Sequence, residues 1–293
     1  VAITLGPNQY GKAEVRLVTV RRAGSVHHLK DLTVSTSLRG ELAATHLTGD
    51  NAGVLATDTQ KNTVYAFAKE APVGEIEDFG LRLARHFAGT QENITGARIK
   101  IDEHGWDRIP VGGEPHDHAF SRAGDERRTT AVTLRDGRAW VVSGLDGLTL
   151  LKSTGSEFHG FPRDQYTTLA ETADRILATA VTARWRYQGE AIDWAESHGE
   201  IRRLMLETFA TKHSLSLQQT LYAMGSAVLE ARPEVAEVRL SLPNKHHFPV
   251  DLSPFGLKND NEVFYAADRP YGLIEGTVVR DDAEDAGPAW DIR

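Results

Sequence analysis

The sequence predicts an α+β protein built on antiparallel β-sheets, with helices packed against one face. Three observations support this. Candidate elements run strands, helices, strands, and the same order returns in the second half of the chain. Neither half has the regular strand–helix alternation of a parallel sheet, and neither G-x-G-x-x-G nor G-x-x-x-x-G-K-[ST] occurs, which argues against a dinucleotide domain or a P-loop. The composition is 40% hydrophobic and 25% charged over 293 residues, that of a folded chain with room for one large or two ordinary domains.

The elements follow in order. KAEVRLVTVRR at 12–22 has partial alternation and several β-branched residues, and HHLKDLTVSTSLRG at 27–40 can pair with it through a short turn. LATDTQKNTVY at 55–65 reads as a strand end turning into a helix, with Thr57 and Asp58 as candidate caps. IEDFGLRLARHFA at 76–88 places Ile76, Phe79, Leu83 and Phe87 on one helical face despite Gly80. Segments 92–106 and 118–137 form a further strand pair. The order then recurs: strands at 139–154 and 176–189, helices from Arg202 to His213 and Leu217 to Glu230, and strands at 237–244, 261–270 and 272–280. ARP at 231–233 ends the last helix. The division falls near 135–140 and gives units 1–137 and 138–280, followed by an acidic tail at 281–293. Helices covering one face of an antiparallel sheet meet the packing requirement.

Zero Cys removes disulfides, thiol nucleophiles, cysteine-ligated iron–sulfur clusters and thiolate zinc sites. Chemistry must come from oxygen and nitrogen side chains, water or an added group. The formal charge of -8 argues against a broad nucleic-acid footprint. Five acids and one Arg lie in 281–293, so the body carries 32 bases against 36 acids and leaves room for a local basic site. No apolar stretch approaches the roughly 20 residues that span a bilayer, and the first residues do not form a secretory signal. The expected location is the cytoplasm, with no membrane or nucleic-acid partner.

HDH at 116–118 and HH at 246–247 have metal-ligand chemistry, but their spacing alone also suits surface loops; HH at 27–28 is weaker, because adjacent strand side chains diverge. At 57–58 a helix start offers N–H groups to an anion as readily as it accepts a cap. SLPNKHHFP at 241–249 presents Asn244, Lys245 and His246 just beyond a strand, where His can move protons and Asn can hold water. Lys12 begins a strand, either as a flanking charge or as a partly buried base.

Six motifs share one resemblance. YGKAEVRL at 10–17, ATDTQKNTVYAFAK at 56–69, LKSTGSEFHGFPRDQYTTL at 151–169, ADRILATAVTARWRY at 173–187, SLSLQQTLY at 214–222 and SLPNKHHF at 241–248 resemble, in order, the urate oxidase (uricase) family. The resemblance spans roughly residues 8–280. It implies two tandem tunnelling-fold units that assemble as a homotetramer around a β-barrel tunnel, with active sites between subunits. Carried over residue by residue, it implies that Phe158 stacks on the purine, Arg175 and Gln218 grip its polar edge, and Leu217 offers a backbone N–H. Thr57 and Asp58 would arrive from a neighbouring protomer, and Asn244 would lie over the ring beside oxygen or water. Lys12, Thr57 and His246 would form a proton relay. Leu217 stands where many relatives have Val, a change that keeps the backbone donor.

The implied reaction is the oxidation of urate by molecular oxygen to 5-hydroxyisourate and hydrogen peroxide, with no cofactor and no metal. The residue types suit it: a flat apolar ring, a planar donor fork for an anionic edge, and an amide with a donor and an acceptor at fixed separation. Without the S-K-L ending of many eukaryotic relatives, the expected type is bacterial. Two other readings are a metal-dependent hydrolase using His116 and His118, and a purine- or pterin-binding module without catalysis.

Overall fold

In the computed structural model, residues 1–267 and 269–291 are described. The chain divides into two units: Val1–Gly144, Arg186–Ala195 and Glu284–Arg293 form one, and Leu145–Trp185 with Glu196–Ala283 forms the other.

The first unit is built on β1 (Val15–Ala23), β2 (Val26–Gly40), β3 (Ile94–Val111) and β4 (Glu114–Arg135), adjacent in that order and antiparallel throughout. Its helices are α1 (Ala43–Leu47), α2 (Thr57–Glu70) and α3 (Ile76–Thr90). Alternation in the strands sends Leu32, Val34, Leu38, Ile99, Ile101 and Val132 into the core. The predicted apolar face of α3 meets them: Ile76, Phe79, Leu83 and Phe87 are fully buried. A buried ion network fixes that helix. Arg128 of β4 reaches Glu75 at 2.6 Å and Glu77 at 2.7 Å, and Ser143 donates to Glu77 at 2.6 Å. Burial, the largest influence, raises the pKa of Glu77, while Arg128 and the Ser143 bond oppose it.

The last described residues join this unit rather than hanging free. Arg98 donates to the carbonyls of Pro288 and Ala289 at 3.3 and 3.2 Å, and Asp291 pairs with Arg135 at 3.2 Å. Two of the residues read as an acidic tail, 292–293, lie outside the described residues, as does Asp268 within the segment read as a strand at 261–270.

β5 (Arg138–Lys152) and β6 (Leu177–Tyr187) contribute residues to both units. In the second unit β6, β7 (Val235–Asn244) and β10 (Gly272–Val279) are adjacent, with β7 and β10 antiparallel; β8 (His247–Pro249) and β9 (Phe264–Ala266) form a separate short pair. Helix α4 (Trp194–Thr211) starts eight residues before the predicted Arg202, and α5 (Leu217–Ala231) starts where predicted. β1 and β10 end the strand order, so the sheet stays open and no closed barrel is present among the described residues.

Helix α5 lies close on its strands, burying Leu221, Met224 and Val228 against Val238, Leu240, Leu242 and Val278. Glycines permit that approach. A Cβ on Gly225 would fall 2.5 Å from Cγ2 of Val278, and one on Gly276 would fall 2.9 Å from Cδ2 of Leu221. Gly225→Ala is therefore expected to cost about 1–3 kcal/mol despite the better helix propensity of Ala. Chemical denaturation checks this, and a stability gain would mean that the helix can lift away without loss.

Candidate active site

One cavity of about 810 Å³ in the second unit gathers six of the nine predicted site residues: Phe158, Arg175, Leu217, Gln218, Asn244 and His246. Four segments distant in sequence present them. Phe158 sits on a short extended stretch whose N–H and C=O exchange bonds with Thr172 at 2.9 and 3.1 Å. The same stretch holds Arg175, whose backbone N–H donates to Ser156 O at 2.8 Å. Asp174 ties the turn together by accepting from Thr154 Oγ1 at 2.9 Å and from Gly155 N at 3.1 Å.

The guanidinium of Arg175 lies over the Phe158 ring, 5.2 Å from its centroid. Its Nε is buried with no hydrogen-bond partner, and burial pushes its pKa down. Among the described residues no carboxylate pairs with this half-buried cation, and a guanidinium so placed at a cavity is suited to bind an anion. Phe161 stacks on Phe158 at 5.0 Å with 12° between the planes, which fixes the ring's orientation.

Leu217 and Gln218 occupy the first turn of α5. Ser216 caps the helix by accepting from Gln219 N at 3.1 Å, while Gln219 Oε1 accepts from Leu215 N at 2.9 Å. The two bonds engage Gln219 on both its backbone and its side chain, and the first-turn N–H groups of Leu217 and Gln218 are left without partners inside the helix. Asn244 ends β7, and beyond it Lys245 N donates to Ala178 O at 2.8 Å and His246 O accepts from Ala267 N at 2.9 Å. His246 stacks against Phe248 at 5.6 Å. Its pKa falls below the ordinary imidazole value, chiefly through burial and then through the positive charges of Arg175 and His247. The neutral, proton-accepting ring is thus favoured.

Lys12, Thr57 and Asp58 lie in the first unit. Lys12 is half-buried; its N–H donates to Thr36 Oγ1 at 3.1 Å and its C=O accepts from Thr36 N at 2.9 Å. Thr36 also donates to the buried Gln60 Oε1 at 2.7 Å, and Gln60 returns a bond to Leu55 O at 3.2 Å. The backbone of Lys12 is thereby tied to the first turn of α2, which begins at Thr57. The capping expectation fails here: Ala56 is the N-cap and no side chain caps the helix. Asp58 instead accepts from Lys61 and, at 3.1 Å, from Asn62. The Lys61 bond and charge hold its carboxyl below the usual range, with a smaller contribution from the charge of Lys12. Thr36 and Gln60 escaped the sequence reading because their partners lie 24 residues apart and carry no local pattern.

Three of the histidines read as metal candidates lie together, His27 with its ring 5.6 Å from that of His118, but as packed rings. His116 and His118 stack edge-on at 4.5 Å, and His116 Nδ1 accepts the backbone N–H of His118 at 3.2 Å. Among the described residues no group of three or more His, Asp or Glu is arranged to hold a metal ion. No described helix is long and apolar enough to cross a membrane.

The family model described as Uricase matches residues 8–133 and 141–275 of this chain. The chain belongs to the uricase family. It is 55% identical to the uricase of Arthrobacter globiformis over 98% of this chain and 94% of that protein, and 40% identical to that of Dictyostelium discoideum over 94% and 98%. The crystal structure of the Arthrobacter globiformis uricase superposes with a TM-score of 0.95, covering 99% of this chain and all of that one. As a member of the uricase family the chain is an enzyme of urate oxidation, and its α+β architecture is that of the solved uricases.

Proposed function

We propose that the chain oxidises urate with molecular oxygen and water to 5-hydroxyisourate and hydrogen peroxide, using no cofactor and no metal, in purine catabolism. The observation that carries this reading is Arg175, its buried Nε without a hydrogen-bond partner among the described residues, beside Phe158 in a cavity that also holds Gln218, Asn244 and His246. Phe158 stacks on the purine, Arg175 and Gln218 hold its anionic edge, and the Leu217 N–H supplies a further donor. Asn244 positions oxygen and then water over the ring.

Lys12 activates Thr57, with Asp58 beside it, to take a proton from urate. The resulting electron-rich dianion passes two electrons to oxygen; water adds to the oxidised ring, and the protons leave with peroxide. His246 moves protons in the hydration step. The protein contributes positioning and a prearranged electrostatic environment, and the substrate contributes the reducing power. In this reading the active enzyme is a homotetramer in which Lys12, Thr57 and Asp58 of one copy complete the cavity of another. Exposed apolar side chains on the terminal strands, Val18 and Val20 on β1 and Leu273 and Val279 on β10, support coverage by further copies.

Purified protein given urate is expected to deplete urate and consume oxygen together, with no stoichiometric metal on elemental analysis. Binding of urate without oxygen uptake would convert the reading into that of a purine-binding module. The depressed pKa of His246 adds a pH expectation. Activity that needs the neutral ring is retained down through neutrality and lost only below the ordinary imidazole value of about 6.5. A kcat/KM profile whose acid limb lies above that value would remove His246 from the relay.

A further inference from the structure

The stretch carrying Phe158 is bound to the segment leading into α5 by contacts that the reaction scheme does not use. Glu157 N donates to Ser214 O at 2.8 Å and Ser214 N to Gly155 O at 2.9 Å, so the two segments run as a short parallel ladder. One side-chain pair bridges the same segments, and a second bond holds the bridging carboxylate within its own stretch. One carboxylate oxygen of Glu157 lies 2.8 Å from Nε2 of His213, and the other lies 2.9 Å from Nε2 of His159. The carboxylate is largely covered, with 16% of its side chain exposed, whereas the His159 and His213 rings are 56% and 58% exposed. The bond from His213, followed in strength by that from His159, holds the carboxyl of Glu157 below its ordinary pKa against the opposing effect of burial. Glu157 is thus an ionised acceptor with both oxygens engaged, joining two surface rings across the root of the site.

The placement matters for the cavity. Phe158 follows Glu157 directly, and Leu217 and Gln218 come four and five residues after His213. We propose that Glu157 is a positioning residue which, through His213 and with its second oxygen held by His159, fixes the distance between the Phe158 ring and the first turn of α5 and so sets the width of the substrate slot. The proposal rests on the reading of Phe158, Leu217 and Gln218 as substrate contacts. A slot defined by a stacking ring on one side and edge donors on the other binds poorly when either wall shifts by a fraction of an ångström. Loosening the clamp therefore acts first on substrate binding and less on the relay, none of whose members the clamp touches.

The test is steady-state urate depletion and oxygen uptake by the full-length protein, with thermal melting in parallel, for Glu157→Ala, His213→Leu, His213→Gln and the combined Glu157→Ala, His213→Leu chain. Gln keeps an N–H donor at a reach close to that of Nε2, and Leu keeps none. Glu157→Ala and His213→Leu are expected to raise KM about tenfold with kcat changed by less than about threefold. His213→Gln is expected to stay near the parent KM, and the combined chain to be no worse than its poorer single variant, as coupled partners require. Unchanged KM in both single variants overturns the clamp, as does a His213→Gln chain as impaired as His213→Leu. Should Glu157→Ala fail to fold, the His213 pair at the surface decides alone. A parent protein that turns over urate beside unaffected variants removes the clamp only; a parent that neither binds nor oxidises urate removes the site assignment and the clamp with it.

Discussion

Replacing Arg175 with Gln is expected to raise the KM for urate about a hundredfold while leaving thermal stability at or above the parent value. Hydrogen bonds to a charged partner are worth about 1.5–3 kcal/mol each, and each 1.4 kcal/mol is a factor of ten, so a guanidinium that makes two such bonds to an anionic purine supplies about a hundredfold in affinity at the lower end of that range. The stability half of the expectation comes from the apo site. Arg175 is half-buried, its Nε has no partner, and burial opposes its charge. Removing it deletes an unfavourable feature of the folded chain rather than a favourable one. A residue kept for packing would show the reverse, a lower melting temperature with KM unchanged, and that result would end the anion-binding reading. The substitution also lifts a positive charge that depresses the pKa of His246, so the acid limb of the activity profile is expected to move to higher pH in the same variant.

Much of the fold was legible because its signals are periodic. Ile76, Phe79, Leu83 and Phe87 repeat at helical spacing and are all fully buried, and the alternation through 27–40 matches the inward set Leu32, Val34 and Leu38. What the pattern did not reveal depends on distant partners. The first turns of α4 hold the polar run AESHGE, and the helix begins at Trp194, which donates to Asp78 Oδ1 at 2.8 Å and packs edge-on against Tyr187. No local rule links residues 194 and 78. The short α1 buries nothing and left no apolar face to read. At the helix start near residue 57, propensity favoured Thr57 or Asp58 as the cap, yet the chain turns at Ala56; Asp58 is occupied by Lys61 and Asn62.

The site was legible in a different way. Phe158, Arg175, Gln218 and Asn244 come together from segments up to 86 residues apart, and taken singly each suits an ordinary core or surface role. Only the ordered set of motifs marked them, and the cavity is where those motifs converge. The residues that hold them, Ser216 at the helix cap and Asp174 at the turn, carry no chemical signature in the sequence because their bonds serve geometry.

Lys12→Ala is expected to lower kcat by about 10²–10⁴ with a much smaller change in KM, the range for removal of a positioned proton-transfer group. The backbone of Lys12 is held by Thr36 and not by its own amine, so the truncation should leave the local fold in place and melting should shift little. Paired with Arg175→Gln, this variant also tests where the site is assembled. Each chain alone is impaired, one through its first-unit residues and the other through its second-unit residues. If sites form between copies, a mixture dissociated and reassembled in equal amounts contains some sites that combine the intact Lys12, Thr57 and Asp58 of one chain with the intact Phe158, Arg175 and His246 of another. Random association makes about one site in four of this kind, so roughly a quarter of parent activity at low urate should return. If Lys12 and Arg175 of the same chain served one site, every site in the mixture would carry one lesion or the other and no activity would return. Recovery near a quarter and absence of recovery are far apart, so a single mixing experiment separates a site shared between copies from a site completed within one chain.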